Sequence, residues 1–114
     1  MTQRAAHRLR AASDFERLRR LGRTWSNALL ALQAVPGEHE TSRCGFVVSR
    51  RVGNAVTRNR VRRRLREIVY PKLAELIGKW DLVLVARSAA AVATYGELRG
   101  AVDDLLRKAR VAAP

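Results

Sequence analysis

The stretch from Asn54 to Tyr70 constrains the fold of this chain more than any other. Between Arg58 and Arg66 it carries six arginines and no acidic residue. Asn54 suits an N-cap position, because its side-chain oxygen can accept an unpaired backbone N–H. At about 100° per residue, four apolar side chains share one stripe of a helix: Val61, Leu65, Ile68 and Val69. The pattern predicts a helix that docks on a core by one face and presents guanidinium groups on the rest.

The charge pattern of this helix opposes helix formation. Cations occupy its first half, where the helix macrodipole favours anions. Like charges recur at i,i+4, as in Arg58–Arg62 and Arg62–Arg66, and each such pair costs roughly 0.2–0.5 kcal/mol. A local rule broken this consistently is typical of a functional site. We predict a surface for a polyanion rather than a solvated face, since solvated faces normally mix charges of both signs.

The charge of the whole chain supports the same prediction. Its 114 residues include 23 Lys and Arg against 10 Asp and Glu, for a formal net charge of +13. A sequence pI near 11.6 in so small a domain is the electrostatic footprint of a nucleic-acid binder. Hydrophobic residues make up 47% of the chain, which is enough for one folded domain with one core.

Other classes of protein lack support in the sequence. Cys44 is the only cysteine, and His7 and His39 lack metal-ligand spacing, so we expect neither a disulfide within the chain nor a metal site. No apolar run approaches the ~20 residues of a membrane span, and the N-terminus lacks the apolar stretch of a signal peptide. We therefore expect a cytoplasmic protein with no membrane partner.

The N-terminal half predicts a helix followed by strands. Residues 1–12 form a basic, partly flexible tail, and Ser13–Glu16 is a capping box that opens a first helix. A short strand or turn at 23–26 is followed by strands at 27–35 and 43–51, which we expect to pair as an antiparallel hairpin.

The C-terminal half completes a single domain that spans residues 13–111. Pro71 is expected to end or kink the arginine helix, because the residue before a proline is biased away from the α region. Residues 81–87 contain a continuous apolar run, typical of a strand buried on both faces. Thr94–Glu97 is a second capping box, which opens a terminal helix.

A family resemblance rests on the arginine helix. Residues 53–67, Gly-Asn-Ala-Val-Thr-Arg-Asn-Arg-Val-Arg-Arg-Arg-Leu-Arg-Glu, closely resemble the Arg-Asn-Arg signature of the protein subunit of bacterial ribonuclease P. Residues 45–52 resemble the strand that leads into this signature. Phe15 and Gly22 resemble the pattern of the family's first helix. The resemblance covers about residues 8–111 and is therefore not confined to one motif.

The resemblance implies a fold that local patterns do not give. It implies a single compact α+β domain in the order αβββαβα, similar to domain 2 of ribosomal protein S5. The sheet is expected to be mixed. Its βαβ crossover through the arginine-rich helix is expected to be left-handed, against the general right-handed rule.

The resemblance also implies a function for the protein as an auxiliary subunit of an endoribonuclease. Catalysis would belong to an RNA subunit with Mg²⁺, so no catalytic residue and no protein-bound cofactor or metal is expected. The protein would bind the catalytic RNA and the 5′ leader of precursor tRNA, assisting removal of the leader. The residues implied for binding the catalytic RNA are Arg50, Arg51, Asn54, Arg58, Asn59, Arg60, Arg62, Arg63 and Arg66. Those implied for a leader groove between the first helix and the sheet are Phe15, Phe46, Val48 and Ser49.

Alternative functions share some of these features. A structural RNA-binding protein of the ribosomal type has the same charge and a basic helix, but needs no groove for a single strand. A protein-only nuclease requires clustered metal ligands, and the ten acids are scattered. A DNA-binding basic helix lacks a heptad seam or a helix-turn-helix pattern here, and we expect no DNA partner. A membrane-surface helix needs an apolar stripe that the core requires.

Overall fold

The helices and strands follow one another along the chain in the predicted order. The computed structural model describes residues 12–111, with side chains from Glu16 onward. The elements are α1 (Ala12–Leu21), β1 (Arg23–Ser26), β2 (Leu30–Pro36), β3 (Arg43–Val47), α2 (Ala55–Leu73), β4 (Trp80–Ala86), a 3₁₀ helix (Ser88–Val92) and α3 (Tyr95–Lys108). The α+β class and the order αβββαβα are confirmed.

The four strands form one mixed sheet in the order β1-β2-β4-β3. β2 is antiparallel to both β1 and β4, whereas β3 is parallel to β4. The predicted hairpin between the second and third strands is therefore wrong, because β4 lies between them. The apolar run of β4 favours a central position with neighbours on both edges. Because β3 and β4 are parallel, the chain must cross over between them, and α2 forms this connection.

The main core lies between the sheet and the helices α2 and α3. Alternate residues of β2 and β4, such as Leu32 and Leu84, point into it together with Val102 of α3. The predicted apolar stripe of α2 is confirmed, because each of its members is buried. The buried side chains of α2 are Val61, Leu65, Ile68, Val69 and Leu73.

The opposite face of the sheet carries α1, and the apolar contact there is small. Leu18 packs against Val35 and Val83. Beside them lies the carboxylate of Asp81, which is fully buried. It accepts hydrogen bonds from Arg17 of α1 and from Arg43 of β3, whose Nη2 is 2.8 Å away. This ion cluster ties α1 to the sheet.

Pro71 lies inside α2, so it does not end the helix, which was one of the two predicted outcomes. α2 continues to Leu73. A proline removes one backbone hydrogen bond from a helix, but Pro71 is solvent-exposed. Leu73 is only 2% exposed, and its burial holds the last turn of α2 against the core.

The helix caps follow the sequence where side chains are described. The Asn54 side chain accepts from the Thr57 N–H at 2.9 Å, as predicted. The Thr94–Glu97 capping box is also confirmed. Hydrogen bonds from Thr94, led by its backbone N–H, lower the pKa of Glu97. The Ser13–Glu16 box involves Ser13, whose side chain lies outside the described residues.

Candidate nucleic-acid interface

The exposed arc of α2 carries the candidate surface. Arg63 is exposed, and Arg58, Arg62 and Arg66 are half-buried along the same helix. The first turn of α2 contains no acidic residue. The apolar stripe faces the core, so these side chains lie on the rest of the circumference, with Arg63 toward solvent and Nε of Arg58 buried. The arc has the length and charge to follow a phosphate backbone.

Two arginines of α2 form hydrogen bonds within the protein. Arg60 donates from Nη2 to the carbonyl oxygen of Ala91 at 2.9 Å. One turn later, Arg64 donates from Nη1 to the carbonyl oxygen of Ala93 at 3.4 Å. Both carbonyls belong to the 3₁₀ segment and its end. The sequence predicts that Arg60 binds RNA. In the structure, its guanidinium group is hydrogen-bonded to this segment and helps to hold α2 against it.

The two asparagines of the signature are also engaged within the protein. Asn54 caps the helix through its side-chain oxygen. Asn59 accepts through Oδ1 from the Arg62 guanidinium at 3.0 Å. This contact restricts the side chain of Arg62 on the exposed arc. Both asparagines therefore shape the arginine surface, whether or not they touch a ligand.

A tight loop brings two further arginines to the start of α2. Arg50 and Arg51 are exposed. The Gly53 N–H donates to the Arg50 carbonyl oxygen at 3.2 Å, so the chain reverses within a few residues. Gly53 has φ +154, and a Cβ there would lie 3.0 Å from Cβ of Thr57. Glycine is needed because any side chain would collide with the first turn of α2.

The face of the sheet that carries α1 is the candidate groove for a single strand. Val47 pairs in register with Val85, and Val85 packs with the cluster under α1. Because register partners share a face of the sheet, Val47 lies on the α1 side. It is 40% exposed. Gln33 is in register with Val83 on the same face and is half-buried.

The predicted groove residues divide between the two faces. Phe46 packs against the main core and contacts the Tyr70 ring at 5.8 Å between centroids. Val48 is 5% exposed in that same core. Both therefore lie on the α2 side, and assigning them to the α1 side was wrong. The strand alternates faces, so Val47, which the sequence prediction missed, takes their place. Ser49 is exposed beyond β3.

Phe15 falls on α1, but its side chain lies outside the described residues. The backbone of α1 covers Ala12–Leu21. The Arg17 and Leu18 contacts fix this helix on the open face of the sheet. The placement of α1 on the face of the sheet that carries Val47 is therefore defined by residues that follow Phe15.

Metal-ligating groups do not gather anywhere in residues 12–111. No group of three or more His, Cys, Asp and Glu side chains there could hold an ion. Cys44 is buried, and burial raises the pKa of its thiol, so the thiol stays neutral in the core. None of the helices in this range is long and apolar enough to cross a membrane.

Comparisons with known proteins agree with the geometry. A family model described as Ribonuclease P matches residues 4–110. The ribonuclease P protein component of Roseiflexus sp. strain RS-1 is 45% identical, covering 93% of this chain and 88% of the relative. That of Roseiflexus castenholzii is 46% identical over the same shares. The solved structure of the RNase P protein of Staphylococcus aureus has a TM-score of 0.84 at 25% identity, covering 94% of this chain and 98% of that one.

Proposed function

Since the chain belongs to the ribonuclease P protein family, the auxiliary protein subunits of a ribonucleoprotein endonuclease, we propose that it uses two surfaces. One binds the catalytic RNA through α2, and the other holds the 5′ leader of precursor tRNA on the α1 side of the sheet. The observation that carries the proposal is an arginine helix with no acidic residue in its first turn, whose start adjoins the end of the strand that presents Val47.

The RNA-binding surface consists of the arginines of α2 and its preceding loop that do not bond to the 3₁₀ segment. Arg63 is the most exposed of them on α2, and it serves phosphate by charge and by its planar fork of donors. Asn54, Asn59 and Arg60 act as positioning residues for this surface. The direct phosphate contacts are assigned to Arg50, Arg51, Arg58, Arg62, Arg63 and Arg66.

The leader surface is a shallow groove between α1 and the end of β3. Val47 offers an apolar contact for a base, and Gln33 offers amide groups for hydrogen bonds. Phe15 and Ser49 remain part of the proposal, with Phe15 as the aromatic platform on which an unpaired base stacks. Arg50 lies just beyond Ser49, so a strand that leaves the groove meets the basic loop next.

Mg²⁺ belongs with the RNA subunit in this proposal. No cluster of ligands occurs among the described residues, and we assign none of them to the ion. Its own residues bind, orient and screen the repulsion between two phosphate backbones. We place the domain at residues 13–111, preceded by the basic tail at 1–12, and the complex in the cytoplasm, with no DNA partner.

A structural RNA-binding protein of the ribosomal type is the second candidate. The basic helix would serve it equally well, but the names of the relatives do not support it. The two candidates differ in the groove, which only a leader-binding subunit needs.

A cleavage assay tests the proposal. Precursor tRNA is mixed with the cognate catalytic RNA at low Mg²⁺, with and without the full-length protein. We expect the protein to raise the cleavage rate at the mature 5′ end and to cleave nothing when it is free of RNA. The matched variants are Arg62→Ala/Arg63→Ala, which should lose this effect, and Lys79→Ala/Arg99→Ala, which removes two exposed cations elsewhere. Equal activity of both variants would contradict the assignment.

A further inference from the structure

An open pocket between β1 and the end of α3 combines cations with an indole ring. Its volume is about 390 Å³, within the usual range for small-ligand sites. No function has been assigned above to any residue that lines it. The lining residues are Arg23, Thr24, Trp25, Lys108, Ala109 and Arg110.

The strand register places the ring and one cation on the same side. Arg23 is the register partner of Ala34, and Trp25 that of Leu32. Ala34 and Leu32 point into the main core, so Arg23 and Trp25 share the face that carries α3. Trp25 is half-buried and packs against that core. One side of the ring is therefore held by the protein, and its other side borders the pocket.

The charges around this ring are not balanced within the fold. Lys108 has a partner, because its Nζ lies 3.1 Å from Oδ2 of Asp104. Arg23 and Arg110 are exposed, and neither forms an ion pair with an acid in the part of the chain that the structure describes. The negative end of the α3 dipole explains cations in the last turn. It does not explain Arg23, which comes from the neighbouring strand.

The pocket is separate from both surfaces of the proposed function. β1 and β3 form opposite edges of the sheet, about 14 Å apart at the usual strand spacing. The Arg50–Arg51 loop and Val47 belong to the β3 edge. A ligand at the β1 edge would therefore add a third contact instead of extending the groove.

We propose that this pocket binds an unpaired nucleotide of RNA, with a phosphate between Arg23 and Arg110 and the base against Trp25. Arginine forks match phosphate oxygens, and bases stack on indole rings without strong sequence preference. The proposal shares with the proposed function the class of partner, RNA, and is otherwise independent of it.

The fluorescence of Trp25 can report binding in this pocket directly. The chain has two tryptophans, so Trp80→Phe leaves Trp25 as the only one, and thermal unfolding checks that this variant is folded. The full-length variant is titrated with a decauridylate, with no catalytic RNA present. We expect the fluorescence of Trp25 to be quenched. Adding Arg23→Gln/Arg110→Gln should weaken this binding roughly fivefold per lost phosphate contact at about 0.1 M salt.

Two controls make the result specific. Lys79→Gln/Arg99→Gln removes the same charge from exposed sites elsewhere and should weaken the quench far less. Inorganic phosphate at the same concentration should leave the fluorescence unchanged. Absence of quenching by RNA, equal loss in both double variants, or quenching by phosphate alone overturns the proposal. These outcomes leave the cleavage assay unaffected, and loss of stimulated cleavage with the quench intact would instead count against the proposed function.

Discussion

The helices α1 and α2 are attached to opposite faces of one sheet by different physical means. α2 is fastened by five buried apolar side chains, and none of its exposed arginines is needed for that attachment. α1 is fastened by Leu18 and by an ion cluster around Asp81. The exposed arginines of α2 can therefore be changed without loosening the helix, whereas α1 depends on Leu18 and on the polar bonds of Arg17, which include the one to Asp81.

The arginines of α2 show the same division on a smaller scale. Arg60 and Arg64 donate hydrogen bonds to backbone carbonyls of the 3₁₀ segment and its end. These neutral acceptors stabilise two of the closely spaced positive charges. Arg62 and Arg63 remain on the exposed arc. Neighbouring arginines of α2 therefore have two different roles. Some hold the helix against the 3₁₀ segment, and others lie on the surface that we propose binds RNA.

The largest effect is expected from the apolar attachment of α2. Leu65 is fully buried, and Leu65→Ala should lower the free energy of unfolding by roughly 2–5 kcal/mol, because it leaves a cavity. Val56→Ala, on the same helix but 76% exposed, should change it little. Urea denaturation measures both. A similar small loss in the two variants would mean that α2 is not held by its stripe.

The attachment of α1 should give the next largest effect. Asp81→Asn keeps the size of the side chain but weakens its bonds to Arg17 and Arg43, at a cost of roughly 1.5–3 kcal/mol. Asp103→Asn is the surface comparison, since Asp103 pairs with Lys72 at 2.8 Å, and a pair of this kind contributes about 0–1 kcal/mol.

The Asp81 variant should also separate the two RNA surfaces. Preference for leader-bearing precursor tRNA should fall in the assembled complex, while affinity for the catalytic RNA stays close to that of the parent protein. If both quantities fall together, the two helices are not independently attached.

The division among arginines predicts opposite responses to single substitutions. Arg63→Ala should leave stability unchanged and reduce the log–log salt slope of RNA binding by roughly 0.7–0.9. Arg60→Ala should cost roughly 0.5–1.5 kcal/mol of stability, because a hydrogen bond to Ala91 is lost, and should change the salt slope less. Binding titrations at several salt concentrations measure the salt slope, and thermal unfolding measures the stability. If Arg60→Ala lowers the salt slope and leaves stability unchanged, Arg60 contacts RNA directly.

The smallest effect comes from α3, which serves as a baseline away from the α1 and α2 surfaces. Thr94→Ala should cost about 1 kcal/mol without altering cleavage. The lowered pKa of Glu97 means that its contribution is present above its ordinary pKa of 4.5 and is lost as the pH falls through the lower folded value. This acid-side loss should be reduced only in part in Thr94→Ala, because the backbone N–H of residue 94, the main cause of the shift, remains and only the side-chain hydrogen bond is lost. Absence of any acid-side loss attributable to Glu97 in the parent protein would show that the capping box is not formed in solution.

Local features of this fold were predictable from sequence, whereas long-range ones were not. The stripe of α2 and the Asn54 cap depend on residues within a few turns of each other. The insertion of β4 beside β3 depends on a pairing across the whole crossover, and the Arg60–Ala91 bond joins residues 31 positions apart. No local pattern encodes either one.

The candidate groove shows that sequence alone does not assign a strand residue to one face of the sheet. Phe46 and Val48 were assigned to the groove because the family resemblance implied it, yet Val47 is the residue on the face that carries α1. Strand periodicity gives two alternating sets of side chains, but only the register with β4 decides which set lies on which face.

The central claim is that the two faces of the sheet serve two different RNAs, and a charge placed at Val47 tests it most directly. Val47→Glu sets an anion in the groove, and Ile77→Glu makes the same change at a 58% exposed site after the other end of α2. Affinities of the assembled complex are measured for precursor tRNA with and without its leader. We predict that Val47→Glu alone abolishes the preference for the leader, while both variants bind the catalytic RNA like the parent protein. An intact leader preference in a folded Val47→Glu protein would contradict the account.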